Sequence, residues 1–233
     1  MLAGHPSSFV RFEPPSASMS TDLVRSRLAL VLASPSVTGA ALSRALAGGD
    51  VATVFLAAAG RSADAFQDFA EEVVPLIQEA GAAAIVVDDT RCAGRARADG
   101  LHVSGGALDE LRDAIARFSP KLIVGGSGFR TRHEAMEAGE ALPDYLFFGR
   151  LSGAPSPGAE ADDLDLAAWW ASIVEVPCVV MGGGDLDRFP EAAGTGAEFV
   201  ALSSAIFEAE GEEGARVAKA NAVLDEVFAR QAA

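Results

Sequence analysis

Lysine, cysteine and long apolar stretches are scarce in this 233-residue sequence. Only two of its 18 basic residues are lysines, Lys121 and Lys219, so a reaction that requires an active-site lysine must use one of them. No uninterrupted apolar run reaches the roughly 18 residues that cross a membrane. Two cysteines, Cys92 and Cys178, are too few for a disulfide scaffold or a metal cluster. Buried, reduced cysteines are typical of the cytosol, which predicts a cytoplasmic protein.

Positive charge is also in deficit. The sequence has 33 acidic residues against 18 basic ones, which gives a formal net charge of -15. Nucleic acids and anionic membranes are bound through a basic face, so we expect neither as a partner. Half of the residues are hydrophobic, which is ample for a sizeable core and excludes disorder of the whole chain.

The first 26 residues differ from the rest. They carry several prolines and serines and no long apolar stretch, so no signal peptide is predicted. We interpret residues 1–26 as a flexible leader before a single folded domain of residues 27–233, with Met19 as an alternative start.

From residue 27 onward, short apolar runs alternate with segments of helical periodicity. The runs are continuous, as is typical of parallel strands covered on both faces. They comprise residues 28–33, 51–57, 82–87, 100–103, 122–125, 145–148, 178–181 and 199–202. Eight strand–helix units predict an α/β fold of the (β/α)8 TIM-barrel type in one domain. A doubly wound open sheet is the alternative, although no G-x-G-x-x-G follows the first run.

In such a barrel the active site lies at the carboxyl ends of the strands. The loops after the seventh and eighth runs contain Gly182, Gly183, Gly184, Ser203 and Ser204. Glycine lets backbone N–H groups approach phosphate oxygens, and the serines would begin a short helix that offers hydroxyls and a positive dipole end. These loops predict a site for a small phosphorylated molecule. A tight turn at the glycines is the alternative.

Several charged residues lie at or near other strand ends. Asp88 and Asp89 follow the third run and are suited either to hold Mg²⁺ or to cap the next helix. His102, within the fourth run, is either a proton carrier or hydrogen-bond donor, or a core residue. Arg130 and Arg150 follow the fifth and sixth runs, where each would bind phosphate or form a salt bridge.

A set of short motifs occurs in a fixed order between about residue 82 and residue 207. The motifs are Asp88-Asp89, ADGLHV (98–103), IVGGS (123–127), PDYLFFG (143–149), PCVVMGG (177–183) and GAEFVALSSAIF (196–207). In order and spacing they resemble the thiamine phosphate synthase and thiazole tautomerase family of barrels.

This resemblance implies a reaction and a site. The synthase joins a pyrimidine pyrophosphate to thiazole phosphate, with Mg²⁺, and releases pyrophosphate. The glycine and serine loops would hold the thiazole phosphate. Ser127 would contact the pyrophosphate, and Asp89 would be one Mg²⁺ ligand.

The sequence departs from the family pattern where that pattern supplies cations. The family's Gln-x-Arg-x-Lys after the second strand is replaced by FLAAA at residues 55–59. Its second metal-binding Asp falls on Ala107, and the tautomerase histidine falls on Phe129. Its Thr-x-Thr-Lys segment is replaced by an acidic loop, residues 152–163. These changes remove positive charge that a pyrophosphate leaving group needs.

Three functions follow from these observations. The first is a divergent thiamine phosphate synthase in which Arg61, Arg130 and Arg150 replace the missing cations. The second is a non-catalytic barrel that binds thiazole phosphate or a similar ligand. The third is another phosphate enzyme that uses Asp88, Asp89 or His102 as its acid–base group. Each is compatible with a homo-oligomer.

Overall fold

The computed structural model describes residues 24–151 and 158–233. Within them, eight parallel strands pair in chain order and close into a barrel. The strands are β1 (Arg27–Leu32), β2 (Thr53–Leu56), β3 (Ala83–Val87), β4 (Gly100–Val103), β5 (Ile123–Ser127), β6 (Tyr145–Phe148), β7 (Cys178–Met181) and β8 (Phe199–Leu202). The helices are α1 (Gly39–Leu46), α2 (Ala63–Glu79), α3 (Thr90–Ala96), α4 (Leu108–Phe118), α5 (Arg132–Gly139), α6 (Ala161–Ile173), α7 (Phe189–Ala193), α8 (Ser204–Phe207) and α9 (Glu213–Gln231).

Side chains alternate between the two faces of each strand, because successive residues of a strand point to opposite sides. In β1, Leu28, Leu30 and Leu32 belong to the large core between barrel and helices. Ala29 and Val31 belong to a second, smaller cluster that fills the barrel interior. Both faces of a strand are therefore apolar, which explains the continuous runs in the sequence.

The helices cover the barrel through one apolar face. In α2, the buried residues are Phe66, Phe69, Ala70, Val73, Val74 and Ile77. These recur every three or four residues, which places them on one side of the helix. Ser62 begins α2, and its side chain accepts a hydrogen bond from the Ala65 N–H. None of the described helices is long and apolar enough to cross a membrane.

The predicted barrel is confirmed, with one change that affects the site. The fifth strand was expected to end at Gly125, and it continues to Ser127, which pairs with Phe147 of β6. A Cβ at Gly125 would overlap the Tyr145 ring, so this glycine makes room for an interior side chain. Ser127 is therefore the last residue of a strand and not a loop residue.

Most of the predicted leader, residues 1–23, lies outside the described residues. Two residues at its end contact the barrel. The Arg25 guanidinium is 2.6 Å from a carboxylate oxygen of Asp225 in α9. The Ser26 hydroxyl donates a 2.6 Å hydrogen bond to the Ala197 carbonyl.

A buried carboxylate connects the first and last helices of the barrel. Glu213 at the start of α9 is only 1% exposed, and both of its oxygens accept 2.8 Å hydrogen bonds from Arg44 of α1. Arg44 holds the Glu213 pKa at about 2, well below its usual range. Ionised Glu213 therefore contributes stability above about pH 4.5, and this contribution is lost as the pH falls toward 2.

We expect Arg44→Met to lower the thermal unfolding midpoint by roughly 5 °C at pH 7, because the carboxylate stays buried without its partner. The difference from the parent protein should shrink between about pH 5 and pH 3, where the carboxyl can protonate. Calorimetry across this pH range measures the thermal midpoints of both proteins. Arg112→Met, which breaks an exposed 3.5 Å pair with Asp109, is the control and should change little. If both variants lowered the thermal midpoint by the same amount at every pH, the stabilising role of the Arg44–Glu213 pair would be contradicted.

Candidate functional site

A cavity of about 510 Å³ opens at the carboxyl ends of β1, β6, β7 and β8. Its wall includes the β1–α1 loop (residues 34–37), Gly183, Ser203 and Ser204. The predicted phosphate loops after β7 and β8 therefore lie in one pocket together with Arg150. Neither lysine lines this pocket among the described residues.

Four backbone N–H groups in these loops have no acceptor among the described residues. The amides of Gly183, Gly184, Ser203 and Ser204 make no hydrogen bond to any residue in 24–151 or 158–233, and neither do the two serine hydroxyls. The Gly182 N–H is occupied, because it donates to the Ala201 carbonyl at 2.8 Å. Unpaired donors grouped beside a cavity are suited to an anionic ligand.

The glycines also have a packing role, which was the alternative interpretation. Gly183 has φ of 87°, and a Cβ there would lie 2.5 Å from the carbonyl carbon of Gly158. A Cβ at Gly182 would lie 2.9 Å from the Phe189 ring. Gly182 and Gly183 thus allow a tight turn against the segment that precedes α6.

The lining of the pocket also carries acidic side chains. It contains Glu160, Asp163 and Glu208 beside Arg150, whose guanidinium is 3.3 Å from Glu160. Burial, and then the neighbouring charge of Glu160, raise the Asp163 pKa. The Arg150–Glu160 pair is more than half exposed on both sides, so it holds Arg150 only weakly. Residues 152–157 of the predicted acidic loop lie outside the described residues.

The carboxylates predicted to bind Mg²⁺ already have protein partners. Asp88 accepts hydrogen bonds from the Ser104 N–H at 2.8 Å and the Ser104 hydroxyl at 2.5 Å. Asp89 is the N-cap of α3 and accepts from the Cys92 N–H at 2.8 Å. No group of three or more His, Cys, Asp or Glu side chains in the described ranges is placed to hold a metal ion. This donor set is a poor fit to a resident Mg²⁺.

Arg61 has a different role from the one expected. One of its terminal nitrogens donates to the carbonyls of Ser34, Pro35 and Val37, each at 3.2 Å. Its guanidinium carbon lies 4.0 Å from the centre of the Phe69 ring. Burial lowers the Arg61 pKa. Arg61 therefore holds the β1–α1 loop, which is a wall of the pocket, instead of replacing a missing substrate cation.

We expect Arg61→Ala to accelerate amide hydrogen exchange in residues 34–37 by at least roughly ten-fold, since the loop loses three hydrogen bonds. Arg61→Lys should resemble it, because one ammonium on a flexible stem cannot reproduce this geometry. Exchange measured by mass spectrometry tests both variants against Arg91→Ala, an exposed arginine of α3. Unchanged exchange in Arg61→Ala would show that other contacts hold the loop.

The barrel interior below the pocket is apolar. In the family that the sequence resembles, the positions of Phe55 and Ala57 carry polar and cationic residues. Here these two side chains are 1% and 5% exposed and belong to the interior cluster. Phe55 packs edge-on against Tyr145 and Phe147, with ring centres 5.8 and 5.3 Å apart. The carboxyl end of β2 thus contributes hydrocarbon where a polyanion would need positive charge.

His102 lies in the same interior and is fully buried. Its Nδ1 is 2.9 Å from the Tyr145 hydroxyl, and its Nε2 is 2.8 Å from the Ser127 hydroxyl. Burial lowers the His102 pKa to about 3, so the ring is neutral at physiological pH. Tyr145 was not predicted as a site residue. The sequence contained a cue for Tyr145, because it is the sole tyrosine of the chain and lies within one of the apolar runs that predict strands.

The three predicted catalytic residues have unlike surroundings. Ser127 is 4% exposed at the end of β5, and Asp89 caps α3. Arg130 is exposed; its backbone N–H donates to Glu134 at 2.7 Å, and its guanidinium forms no ion pair within the described residues. Arg130 and Arg150 are therefore two cations on this face that a ligand can recruit.

The fold and the site together define a (β/α)8 barrel whose pocket lies at the carboxyl ends of the strands, the face that carries the active sites of such barrels. Residues 30–206 match the sequence profile of the family described as "Thiamine monophosphate synthase". The chain belongs to this family.

Curated relatives support this membership. The chain is 33% identical over 192 residues to a thiamine-phosphate synthase of Rhodospirillum centenum, an alignment that covers 82% of this chain and 92% of the relative. It is 30% identical over 189 residues to a thiamine-phosphate synthase of Hyphomonas neptunium, covering 79% of this chain and 85% of that protein.

Solved structures support the fold. Thiamine phosphate pyrophosphorylase from Pyrococcus furiosus superposes with a TM-score of 0.69 over 87% of this chain and 97% of that one, at 23% identity. A 3-hexulose-6-phosphate synthase superposes with a TM-score of 0.64 at 17% identity, over 84% of this chain and 99% of that one. At these identities the likeness concerns the barrel and not the chemistry.

Proposed function

We propose that this chain uses the thiamine phosphate synthase pocket to bind a small phosphate monoester of the thiazole phosphate type. The phosphate would lie at the loops after β7 and β8. The observation that carries this proposal is the group of amides at Gly183, Gly184, Ser203 and Ser204 that have no acceptor among the described residues. Gly183, Ser203 and Ser204 line a cavity of about 510 Å³, which leaves room for a ligand of this size.

The same pocket offers little to a pyrophosphate leaving group. The barrel interior at the carboxyl end of β2 is filled by Phe55 and Ala57, and the lining of the pocket carries three carboxylates. A departing pyrophosphate develops negative charge that cations normally stabilise in the transition state. We therefore propose that ligand binding is the retained function and that coupling to a pyrimidine pyrophosphate is slow or absent.

The coupling reaction itself is the second candidate. It is favoured by the thiamine-phosphate synthase relatives at 30–33% identity and by the presence of Ser127 and Asp89 at the expected strand ends. Since Asp89 caps α3 and is a poor metal ligand, the charge of the pyrophosphate would have to be neutralised by cations of the chain. Arg130 and Arg150 would approach the pyrophosphate.

One experiment separates these candidates. The purified chain is titrated by calorimetry with thiazole phosphate, and product is then sought by chromatography after the pyrimidine pyrophosphate and Mg²⁺ are added. Saturable binding with no thiamine phosphate formed supports the first candidate. Product formation that Arg130→Ala or Arg150→Ala abolishes, while Arg91→Ala leaves it intact, supports the second. Absence of both binding and product overturns both.

A further inference from the structure

A hydrogen-bonded chain of three side chains joins the adjacent strands β4, β5 and β6 inside the barrel. It consists of Tyr145, His102 and Ser127, joined by contacts of 2.9 and 2.8 Å. All three are buried: Tyr145 is 6% exposed, His102 0% and Ser127 4%. The His102 ring stacks on the Tyr145 ring at an interplanar angle of 22°, so the pair is fixed in orientation as well as distance.

The surroundings of the ring determine its charge. Phe55 and Phe147 pack edge-on against His102 at centre distances of 5.8 and 5.9 Å. No carboxylate of the described residues contacts either ring nitrogen. A positive charge would be buried here without a counter-ion, which is costly, so the imidazole is neutral and carries one proton.

The hydroxyl of Tyr145 then determines which nitrogen holds that proton. Within residues 24–151 and 158–233, its one hydrogen-bond partner is Nδ1 of His102. If Nδ1 carried the proton, the buried Tyr145 hydroxyl would have no acceptor for its own hydrogen. If Nε2 carried it, the hydroxyl hydrogen left over would instead be that of Ser127. Ser127 is the last residue of β5, at the mouth of the barrel where a ligand can accept this hydrogen, whereas Tyr145 is the first residue of β6, at the opposite end of the strands. This difference favours the arrangement in which Tyr145 donates to Nδ1 and Nε2–H donates to the oxygen of Ser127.

This arrangement leaves the Ser127 hydroxyl hydrogen available. The oxygen already accepts from His102, and no acceptor for the hydroxyl hydrogen lies among the described residues. Ser127 is the last residue of β5, at the carboxyl face of the barrel. The β4–α4 loop fixes its backbone, since the Gly106 N–H donates to the Ser127 carbonyl at 2.8 Å and a Cβ on Gly128 would overlap Gly106.

We propose that Tyr145 and His102 are positioning residues that make Ser127 a directed hydrogen-bond donor to a ligand in the mouth of the barrel. The ligand atom must be an acceptor, such as a phosphate or ring-nitrogen lone pair. The same proton order prevents His102 from taking the Ser127 proton, so Ser127 is not a nucleophile of the serine–histidine type. The ligand contact rests on the proposed function; the proton order does not.

Nitrogen-15 NMR of histidine-labelled, ligand-free protein tests the proton order. His102 is one of three histidines and is assigned by its loss in His102→Gln. We expect Nε2 to show the signal of a protonated nitrogen and Nδ1 that of an acceptor. A proton on Nδ1, or a doubly protonated ring, would overturn the proposal whether or not any ligand binds. In Tyr145→Phe the Nδ1 signal should move toward that of a nitrogen without a donor.

A double-mutant cycle tests the contact with ligand. Thiazole phosphate is the first probe and the pyrimidine pyrophosphate the second, each titrated into folded variants. For the probe that Ser127 contacts, Ser127→Ala should weaken binding about ten-fold and Tyr145→Phe about three-fold or more. Tyr145→Phe should then have no further effect in the Ser127→Ala background. Additive losses would indicate a merely structural Tyr145 and reject its positioning role. Binding of both probes with no loss in Ser127→Ala would reject the donor role while leaving the proposed function in place.

Discussion

Replacement of Ser204 by aspartate is expected to abolish binding of thiazole phosphate, with an affinity loss of at least roughly 100-fold. The new carboxylate would lie in the pocket lining with Gly183 and Ser203, whose amides have no acceptor among the described residues, and would accept their hydrogen bonds in place of the ligand. It would also repel the phosphate dianion at close range, where the pocket screens charge less than water does. Calorimetric titration of the folded variant measures the loss.

The same variant has a second expected property. Because the carboxylate pairs with donors that lack a protein acceptor in the described structure, the thermal midpoint should stay unchanged or rise. Ser172→Asp, which introduces the same charge on the exposed end of α6, is the matched control and should bind as the parent does. Normal binding by Ser204→Asp would place the phosphate elsewhere, for example near Arg130.

The barrel could be predicted because each strand is a continuous apolar run between turn residues. β4, β6, β7 and β8 have the predicted bounds, and the remaining strands differ by one or two residues at an end. The end of β5 was missed because two consecutive glycines are typical of a loop. Here Gly126 pairs with Val103 of β4, and Gly125 makes room for the Tyr145 ring.

The roles of the charged residues could not be predicted in the same way, because each depends on a partner from another loop. Asp88 is engaged by Ser104, which is 16 positions away in the sequence and across the β3–β4 boundary. Arg61 follows β2 and binds carbonyls of the β1–α1 loop. From the local sequence, Asp88 had two plausible roles and Arg61 was expected to replace a missing cation. Only the closure of the barrel brings the deciding partner of each residue into contact. Asp89 is the exception, since a helix cap is a local feature and was among the alternatives.

Phe55→Ala is expected to lower the free energy of unfolding by about 3–5 kcal/mol, the usual range for removal of a buried phenylalanine. Phe55 is 1% exposed and packs edge-on against His102, Tyr145 and Phe147. Its removal leaves a cavity in the barrel interior and takes away three aromatic contacts at once. Denaturant unfolding followed by circular dichroism measures the loss.

The matched variant is Phe55→Leu, which keeps most of the apolar volume and should cost less than about half as much. Phe55→Gln tests the functional side of the argument. The polar groups nearest to this buried position, on His102 and Tyr145, are already hydrogen-bonded within the Tyr145–His102–Ser127 chain, so the amide should cost about as much as alanine. If Phe55→Ala and Phe55→Gln each cost under about 1 kcal/mol, water or an unpacked space would have to surround this position. The barrel interior at the carboxyl end of β2 would then be open to a polar substrate, and the argument against a pyrophosphate site there would fail.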